Sequence, residues 1–183
     1  MHHHPPPQQA YSLIELLIAL TILSLTAAFT IPALNTYRNH TNNQVIQMQL
    51  IKAIHFAQTE AHARHSLIGL SQSENHSLLI FTDENADGVI HERRQILSVI
   101  QMNLHHGKLH MRSYPYYRDY LQFQPDQWSS GDNATIWYCP QPENPPVWAV
   151  VINRAGRVRA LHAMRDDSLR DSNGRALSCY QQS

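Results

Sequence analysis

The chain has 183 residues, with 14 lysines plus arginines and 14 acidic residues, so its formal net charge is zero. Only 15% of the residues are charged, well below the roughly 25% usual for a globular domain. The sequence contains no nucleophile elbow, no HExxH, no glycine-rich phosphate loop and no informatively spaced carboxylate pair. This excludes the common enzymes that such motifs mark. We therefore predict that the protein is not an enzyme and needs no cofactor.

The most apolar stretch, residues 11–34, contains a single charged residue, Glu15. As a helix it would be roughly 36 Å long, which is enough to cross a bilayer, so we predict a transmembrane helix here. An isolated carboxylate costs about 2.5–3.5 kcal/mol at the bilayer centre, so Glu15 needs a partner. An ordinary signal anchor with a tolerated acidic residue is the alternative. A secretory signal fits less well, because the preceding residues contain no lysine or arginine.

These features resemble the N-terminus of type IV pilins and type II secretion pseudopilins. In that family a short polar leader is removed by prepilin peptidase just before the apolar run, and the new first residue is N-methylated. Here the leader would be residues 1–10, cleavage would fall between Ala10 and Tyr11, and Tyr11 would be methylated. Counted from Tyr11, Glu15 is the fifth residue and Pro32 the twenty-second, as in the family. The family usually has glycine before the cut and phenylalanine after it, whereas this chain has alanine and tyrosine.

The resemblance implies that this N-terminus acts in filament assembly. The amine created at Tyr11 of one subunit would pair with Glu15 of its neighbour, which removes much of the penalty for an isolated buried charge. The subunit would cross the inner membrane of a Gram-negative bacterium once, with a periplasmic head, before it joins a pilus at the cell surface. Its protein partners would be prepilin peptidase and other major and minor pilins.

Residues 35–65 are predicted to continue the helix as an amphipathic segment. Apolar residues recur at spacings of three and four, which places them on one helix face. This apolar stripe comprises Ile46, Leu50, Ala53, Ala57 and Ala61. The opposite face carries Asn43, Gln47, Gln58 and His62. Pro32 is expected to bend the helix rather than end it, and the helix is expected to stop near His65.

Residues 66–183 show the pattern of strands and form a predicted β-rich domain. Short runs rich in Ile, Val, Leu and aromatic residues, separated by turn residues, predict strands. The candidates are residues 66–70, 77–82, 95–100, 108–112, 120–124, 135–139, 148–152 and 157–161. Because no helices recur between them, an antiparallel sheet is favoured. The predicted fold class is α+β, the type IV pilin fold, in which a long N-terminal helix with a transmembrane first half packs on a C-terminal antiparallel β-sheet head.

The two cysteines, Cys139 and Cys179, both lie beyond the apolar segment. The family places this part of the chain in the oxidising periplasm, so the resemblance implies a disulfide between them. The alternative is two free buried thiols. A zinc site is not favoured, because the two cysteines do not have zinc-ligand spacing. His105, His106 and His110 lack a spaced carboxylate or cysteine that would complete a metal site.

Residues 83–88, DENADG, look like the front of a calcium loop. Asp83, Asn85 and Asp87 would be oxygen ligands, with Gly88 at the turn. However, the position that should hold a bidentate glutamate is Arg94, and predicted strands rather than helices flank the segment. We therefore favour an Asx-rich hairpin turn and predict no metal. The segment also resembles a turn common in FimT/GspH-type minor pilins.

The strongest local charge excess lies near the C-terminus, with six arginines and three aspartates between residues 154 and 175. Predicted strands on both sides make residues 153–156 a hairpin turn, with Gly156 supplying the unusual backbone angle. On a strand, Arg157 and Arg159 would project from one face about 7 Å apart, and each guanidinium can donate two hydrogen bonds to a phosphate. The alternative is a solvated strand edge whose arginines prevent unwanted pairing.

The sequence GRVR at residues 156–159 resembles the G-R-x-R signature of the FimT-type minor pilins, which bind DNA in natural transformation. The resemblance implies a minor pilin of a type IV pilus that binds double-stranded DNA non-specifically during DNA uptake. The implied DNA-binding set is Arg154, Gly156, Arg157, Arg159, Arg165, Arg170 and Arg175. The rival interpretation is a minor pseudopilin that initiates or caps a type II secretion pseudopilus and binds only protein.

Overall fold

The computed structural model describes residues 12–73, 75–104, 107–114, 118–126, 133–162, 168–171 and 174–180. In chain order the elements are α1 (Leu13–Arg64), β1 (Ile68–Gln72), β2 (Ser77–Thr82), a 3-10 helix (Arg93–Gln95), β3 (Ile96–Gln101), β4 (Lys108–Tyr114), β5 (Tyr120–Phe123), β6 (Asn133–Cys139), β7 (Trp148–Ile152) and β8 (Val158–His162). Residues 1–42 and 43–183 are two compact units, and each is described by itself. The predicted cleavage residues, Ala10 and Tyr11, lie outside the described residues.

The helical part of the first unit presents an apolar surface. The large apolar side chains described between residues 13 and 34 are all exposed. Hydroxyl side chains donate to carbonyl oxygens of the same helix, as Thr21 Oγ1 does to Ile18 O over 2.7 Å, so their hydrogen-bonding capacity is used internally. The helical backbone continues through Pro32, which agrees with the expectation that this proline does not end the helix. The described part of the chain contains no helix that combines the length and the apolar character needed to cross a membrane.

The apolar stripe predicted for the second half of α1 is confirmed as the contribution of the helix to the core. All of its residues are buried, and the helix ends at Arg64, next to the predicted end. The predicted polar face was partly wrong, because Gln47 and Gln58 are only 6% and 4% exposed. Both residues border the stripe on a helix of 3.6 residues per turn, so the sheets that cover the stripe enclose them as well.

Two four-stranded antiparallel sheets make up the β-rich part of the second unit. The first sheet has the order β3-β2-β1-β5, and the second has the order β4-β6-β7-β8. The eight strands agree with the predicted ones to within two residues at each end. The predicted α+β pilin-type fold is confirmed, although the head contains two sheets. Alternation of apolar and polar residues identifies a segment as a strand, but it does not determine which other strands pair with it.

The second sheet is covered on both faces. Alternate residues of a strand face opposite sides, and Ile136 of β6 and Val150 of β7 lie in the main core with the stripe of α1. Their chain neighbours Trp137 and Ala149 face the other way and belong to a separate apolar cluster. The remaining buried members of that cluster are Cys139, Leu169, Leu177 and Cys179. The outer face of this sheet is therefore packed against residues from the C-terminal end of the chain.

The turn at residues 83–88 is organised by Asp83, which is fully buried. Its carboxylate accepts hydrogen bonds from Asp87 N at 3.1 Å and Gly88 N at 3.0 Å. Gln122 Nε2 donates a third bond to it over 2.6 Å. Val89 N donates to Asp87 Oδ1 over 2.8 Å, two residues on, which is an Asx-turn and agrees with the favoured interpretation. Among the residues described by the structure, no group of three or more His, Cys, Asp or Glu side chains is placed to hold a metal ion.

Candidate nucleic-acid interface

The outer face of the second sheet carries arginines at both of its edges. Arg112 of β4 lies opposite Thr135 of β6. Val151 of β7 lies opposite both Thr135 and Arg159 of β8. Directly opposed side chains in antiparallel strands share a face, so this row crosses the outer face from one edge strand to the other. Because β4 and β8 are the edge strands of the sheet, Arg112 and Arg159 mark its two borders.

The hairpin between β7 and β8 turns at residues 153–156, as predicted. Asn153 N donates to Arg157 O over 3.2 Å, and Gly156 N donates to Asn153 O over 2.8 Å. Gly156 has a φ of 71°, in the left-handed region that favours glycine, so its predicted conformational role is confirmed. Asn153 Oδ1 also accepts a bond from Arg157 N at 2.9 Å. These hydrogen bonds therefore fix the position of the backbone at Arg157, where the chain enters β8.

A buried side chain of α1, Gln58, holds this turn in place. Its Nε2 donates to Gly156 O over 2.7 Å, and both residues are buried. We expect Gln58→Ala to lower the free energy of unfolding by about 1–3 kcal/mol, because it leaves a buried carbonyl without its donor. Urea unfolding measures the effect, with Thr59→Ala as the control, since Thr59 is exposed and, among the described residues, its hydroxyl donates to His55 O of the same helix. Equal stability of the two variants would contradict this role.

Arg157 and Arg159 flank Val158 at the start of β8. Both arginines are exposed, whereas Val158 packs against the main core, so strand alternation directs the two guanidinium groups to the same side. Within the described part of the chain, neither guanidinium forms an ion pair or a hydrogen bond. Arg154 is exposed in the same turn, and its backbone N donates to Asn133 Oδ1 over 3.0 Å. Two positive charges at this border are thus available to an external anion.

The C-terminal segment, defined by its described residues between 168 and 180, lies on the outer face of the second sheet. Leu169 and Leu177 are buried there in the outer apolar cluster. Cys179 forms a disulfide with Cys139 of β6, with the Cα atoms 5.7 Å apart. The implied disulfide is therefore confirmed. These contacts tie the segment to the centre of the sheet, between the two arginine-bearing edges.

A short hairpin within the C-terminal segment displays two more of the predicted arginines, Arg170 and Arg175, both exposed. Asp171 N donates to Arg175 O over 2.9 Å, and Gly174 N donates to Asp171 O over 3.0 Å. The guanidinium of Arg170 donates to Gly174 O over 3.2 Å. Arg165, the remaining arginine of the predicted set, lies outside the described residues. The structure thus brings Arg170 and Arg175 to the same sheet face as the β8 pair.

The basic residues of β4 were not among those predicted from the sequence to bind DNA. Lys108, His110 and Arg112 alternate along this edge strand on the outer face. The guanidinium of Arg112 lies 5.5 Å from the ring centroid of Trp137 and donates to Asp171 Oδ2 over 3.3 Å. The ring of His110 stacks on the same tryptophan, with the ring centroids 5.5 Å apart. The available signal was the period-two recurrence of basic residues within a predicted strand.

The partial burial of His110 makes it a source of acid sensitivity. Burial, together with the charge of Lys108, lowers the pKa of His110 below its usual 6.5. As the pH falls through about 6.5, His110 binds a proton in the unfolded chain but remains neutral in the folded protein. The free energy of unfolding therefore declines. We expect His110→Gln to lose less stability than the unaltered protein between roughly pH 7 and pH 5.

Urea unfolding at both pH values tests this expectation. His162→Gln is the matched control, because His162 is exposed at the end of β8. The same acid-induced loss of stability in His110→Gln and in the unaltered protein would show that His110 does not contribute.

Two family models match the chain. The model described as type II transport protein GspH matches residues 47–156, and the prokaryotic N-terminal methylation motif matches residues 6–31. No curated protein sequence is significantly similar to the chain. The first match ends at Gly156, so Arg157, Arg159 and the C-terminal segment lie beyond it.

Solved structures of low sequence identity resemble the chain. Two crystal forms of the type IV minor pilin FimU of Pseudomonas aeruginosa align with a TM-score of 0.51, at 17% and 18% identity. They cover 75% of this chain and 99% and 94% of their own chains. The minor pseudopilin EpsH of the Vibrio cholerae type 2 secretion system aligns with a TM-score of 0.39 at 13% identity, over 67% of this chain and 94% of its own. The FimU alignments establish a shared fold.

Proposed function

The chain belongs to the GspH family of type II transport proteins, and from this premise we propose that it is a minor pilin of a type IV pilus that binds double-stranded DNA non-specifically during DNA uptake. Family membership makes it a minor pilin or pseudopilin. The observation that supports DNA binding is the pair Arg157 and Arg159, exposed side by side and without an acidic partner among the described residues. This pair lies beyond the residues that the family model matches, so family membership by itself does not bear on it.

The proposed binding mechanism is electrostatic. Each arginine that contacts a phosphate releases condensed counterions, so affinity falls steeply with salt and does not depend on base sequence. The planar guanidinium donates two parallel hydrogen bonds to phosphate oxygens. The hydrogen-bonded turn around Gly156 positions the backbone of Arg157 at the start of β8, and Arg154 lies in the same turn. Positive charge is added by three further arginines near the C-terminus, Arg165, Arg170 and Arg175.

The N-terminal unit is proposed to assemble the subunit into the filament. Its apolar side chains are exposed within the single chain, and burying them against neighbouring pilins or lipid stabilises assembly by about 25 cal/mol per Å². Glu15 is exposed and, within the described residues, has no ion-pair partner. We propose that it pairs with the methylated amine of Tyr11 of a neighbour after prepilin peptidase cuts behind Ala10. Before assembly, the subunit is held at the inner membrane with its head in the periplasm.

Salt-dependent DNA binding by the full-length protein tests the proposed function. The protein, kept in a nonionic detergent, is titrated against two labelled duplexes of unrelated sequence over a series of salt concentrations. We expect equal affinities for both duplexes, with log K falling against log salt by about 0.9 per phosphate contacted. Absence of binding at low salt, or binding to only one duplex, would contradict the proposal.

The second candidate function is that of a minor pseudopilin in type II secretion. The description of the matched family favours it, because that description refers to type II transport. Such a protein would initiate or cap a pseudopilus and bind only other pseudopilins. In that case the purified protein would form complexes with those subunits and would bind no DNA at any salt concentration.

A further inference from the structure

One carboxylate joins the C-terminal segment to the edge strand β4. Asp171 accepts a bond from Arg112 at Oδ2, over 3.3 Å, and from Arg175 N at Oδ1, over 2.9 Å. The side chain of Asp171 is only 6% exposed and that of Arg112 is 34% exposed. Because the carboxylate is the buried partner, separating it from Arg112 would leave a buried charge poorly compensated, which is costly. Asp171 therefore anchors the hairpin that carries Arg170 and Arg175 to the β4 border.

The strand register gives the distance between the two borders. Arg112 and Arg159 lie in one cross-strand row, with β6 and β7 between them. Three strand spacings separate their backbones by about 14 Å. The major groove of B-DNA is about 12 Å wide, so phosphates on the two sides of a groove lie at a comparable separation. The anchored hairpin is at one border of this face, and the exposed pair Arg157 and Arg159 is at the other.

We propose that the C-terminal segment supplies a second row of phosphate contacts, Arg170 and Arg175, and that the Arg112–Asp171 ion pair holds this row across a DNA groove from Arg157 and Arg159. This inference rests on the proposed DNA-binding function. It assigns to the same surface an ion pair that positions two of its arginines. Arg112 is a positioning residue here, because its charge is paired with Asp171 and its guanidinium lies over Trp137. The disulfide at Cys179 holds the other end of the segment.

The substitution Asp171→Asn separates positioning from simple charge attraction. Asparagine has the shape of aspartate and still accepts the bond from Arg175 N, but it lacks the charge that holds Arg112. Removing a negative charge next to a DNA-binding surface should strengthen binding if only the net charge matters. If the ion pair positions the second row, the same substitution should weaken binding.

The test measures fluorescence anisotropy of a labelled 20-base-pair duplex with full-length protein in nonionic detergent. We expect Asp171→Asn to weaken binding about three- to tenfold at low salt and to reduce the salt slope by up to about 1.8, the value for two lost phosphate contacts. Arg175→Gln alone should weaken binding. Added to Asp171→Asn, the same substitution should weaken binding much less, because the effects of coupled residues are not additive. Asp126→Asn, which neutralises an exposed carboxylate after β5, is the matched control and should bind as the unaltered protein does.

A second measurement reports on the segment itself. The amide of Leu177, bonded to Leu169 O at 2.8 Å, should exchange its hydrogen faster in Asp171→Asn, whereas amides of β6 and β7 should not change. Unchanged or tighter DNA binding by Asp171→Asn, together with a clear loss in a variant that carries both Arg157→Gln and Arg159→Gln, would overturn this inference and leave the proposed function standing. Absence of DNA binding by the unaltered protein would overturn both.

Discussion

The double substitution Arg157→Gln with Arg159→Gln is expected to abolish the retardation of duplex DNA at the protein concentration that is just sufficient for the unaltered protein at low salt, and to leave the fold intact. Both guanidinium groups are exposed, and within the described residues neither one has an intramolecular partner. Their removal therefore breaks no contact that stabilises the head. Glutamine keeps much of the aliphatic stem and the polarity of arginine, so only the charge and the phosphate-binding fork are lost.

The size of this effect follows from counterion release. Loss of two phosphate contacts should reduce the slope of log K against log salt by about 1.8, at about 0.9 per contact. We expect the affinity at low salt to fall about 10- to 100-fold, which corresponds to about 1.4–2.7 kcal/mol of binding free energy. A gel-shift salt series on the unaltered and the substituted protein measures both quantities. Circular dichroism and thermal unfolding verify that the fold is retained.

A matched double variant separates the local patch from the net charge. Arg93→Gln with Arg94→Gln removes the same two charges from the 3-10 helix that precedes β3, an element of the other sheet. We expect this control to retain most of its affinity at the physiological end of the salt series, because screening there limits charge interactions to about 8 Å. Equal losses in the two variants would indicate a response to net charge alone. Unchanged binding in the Arg157/Arg159 variant would remove this patch from the proposed function.

Removing the disulfide is expected to be the largest perturbation of stability. Cys139→Ser with Cys179→Ser should lower the free energy of unfolding by about 2–5 kcal/mol. The disulfide closes a sequence separation of 40 residues, so its loss gives the unfolded chain more conformational freedom. It also releases the end of a segment whose Leu169 and Leu177 bury the outer face of the second sheet.

Urea unfolding followed by tryptophan fluorescence measures the effect of the disulfide, because Trp137 and Trp148 both lie in the second sheet. The unaltered protein should unfold at lower urea in the presence of a reductant. The double serine variant should unfold at that same lower concentration with or without reductant, which provides the control. A serine variant as stable as the oxidised protein would show that the apolar contacts alone hold the C-terminal segment.

The elements of the fold were predictable from the sequence because each depends on a local pattern. The spacing of three and four that marked the stripe from Ile46 to Ala61 places side chains on one helix face whatever packs against it. The same argument applies to the eight strands and to the hairpin turn, where Gly156 adopts the left-handed backbone that its position requires. The disulfide between Cys139 and Cys179 was implied by the compartment of the family, since only two cysteines are present.

The arrangement of the site depends on contacts between residues that are distant in sequence. The buried Gln58 bonds to Gly156, 98 residues away, and Arg112 pairs with Asp171, 59 residues away. Periodicity placed Gln58 on a solvated face and gave no reason to single out Arg112. It also did not show that the head divides into two sheets, or that the C-terminal segment covers the second.

The sequence by itself determined that this chain has an apolar N-terminal helix, an amphipathic continuation, eight strands and an arginine-rich end, because each of these is set by neighbours along the chain. Only the tertiary structure decided which strands pair, which glutamines are buried and which arginines share a face. Those choices depend on the burial of apolar surface between segments far apart in sequence. They decide that Arg157, Arg159, Arg170 and Arg175 lie on one side of the second sheet.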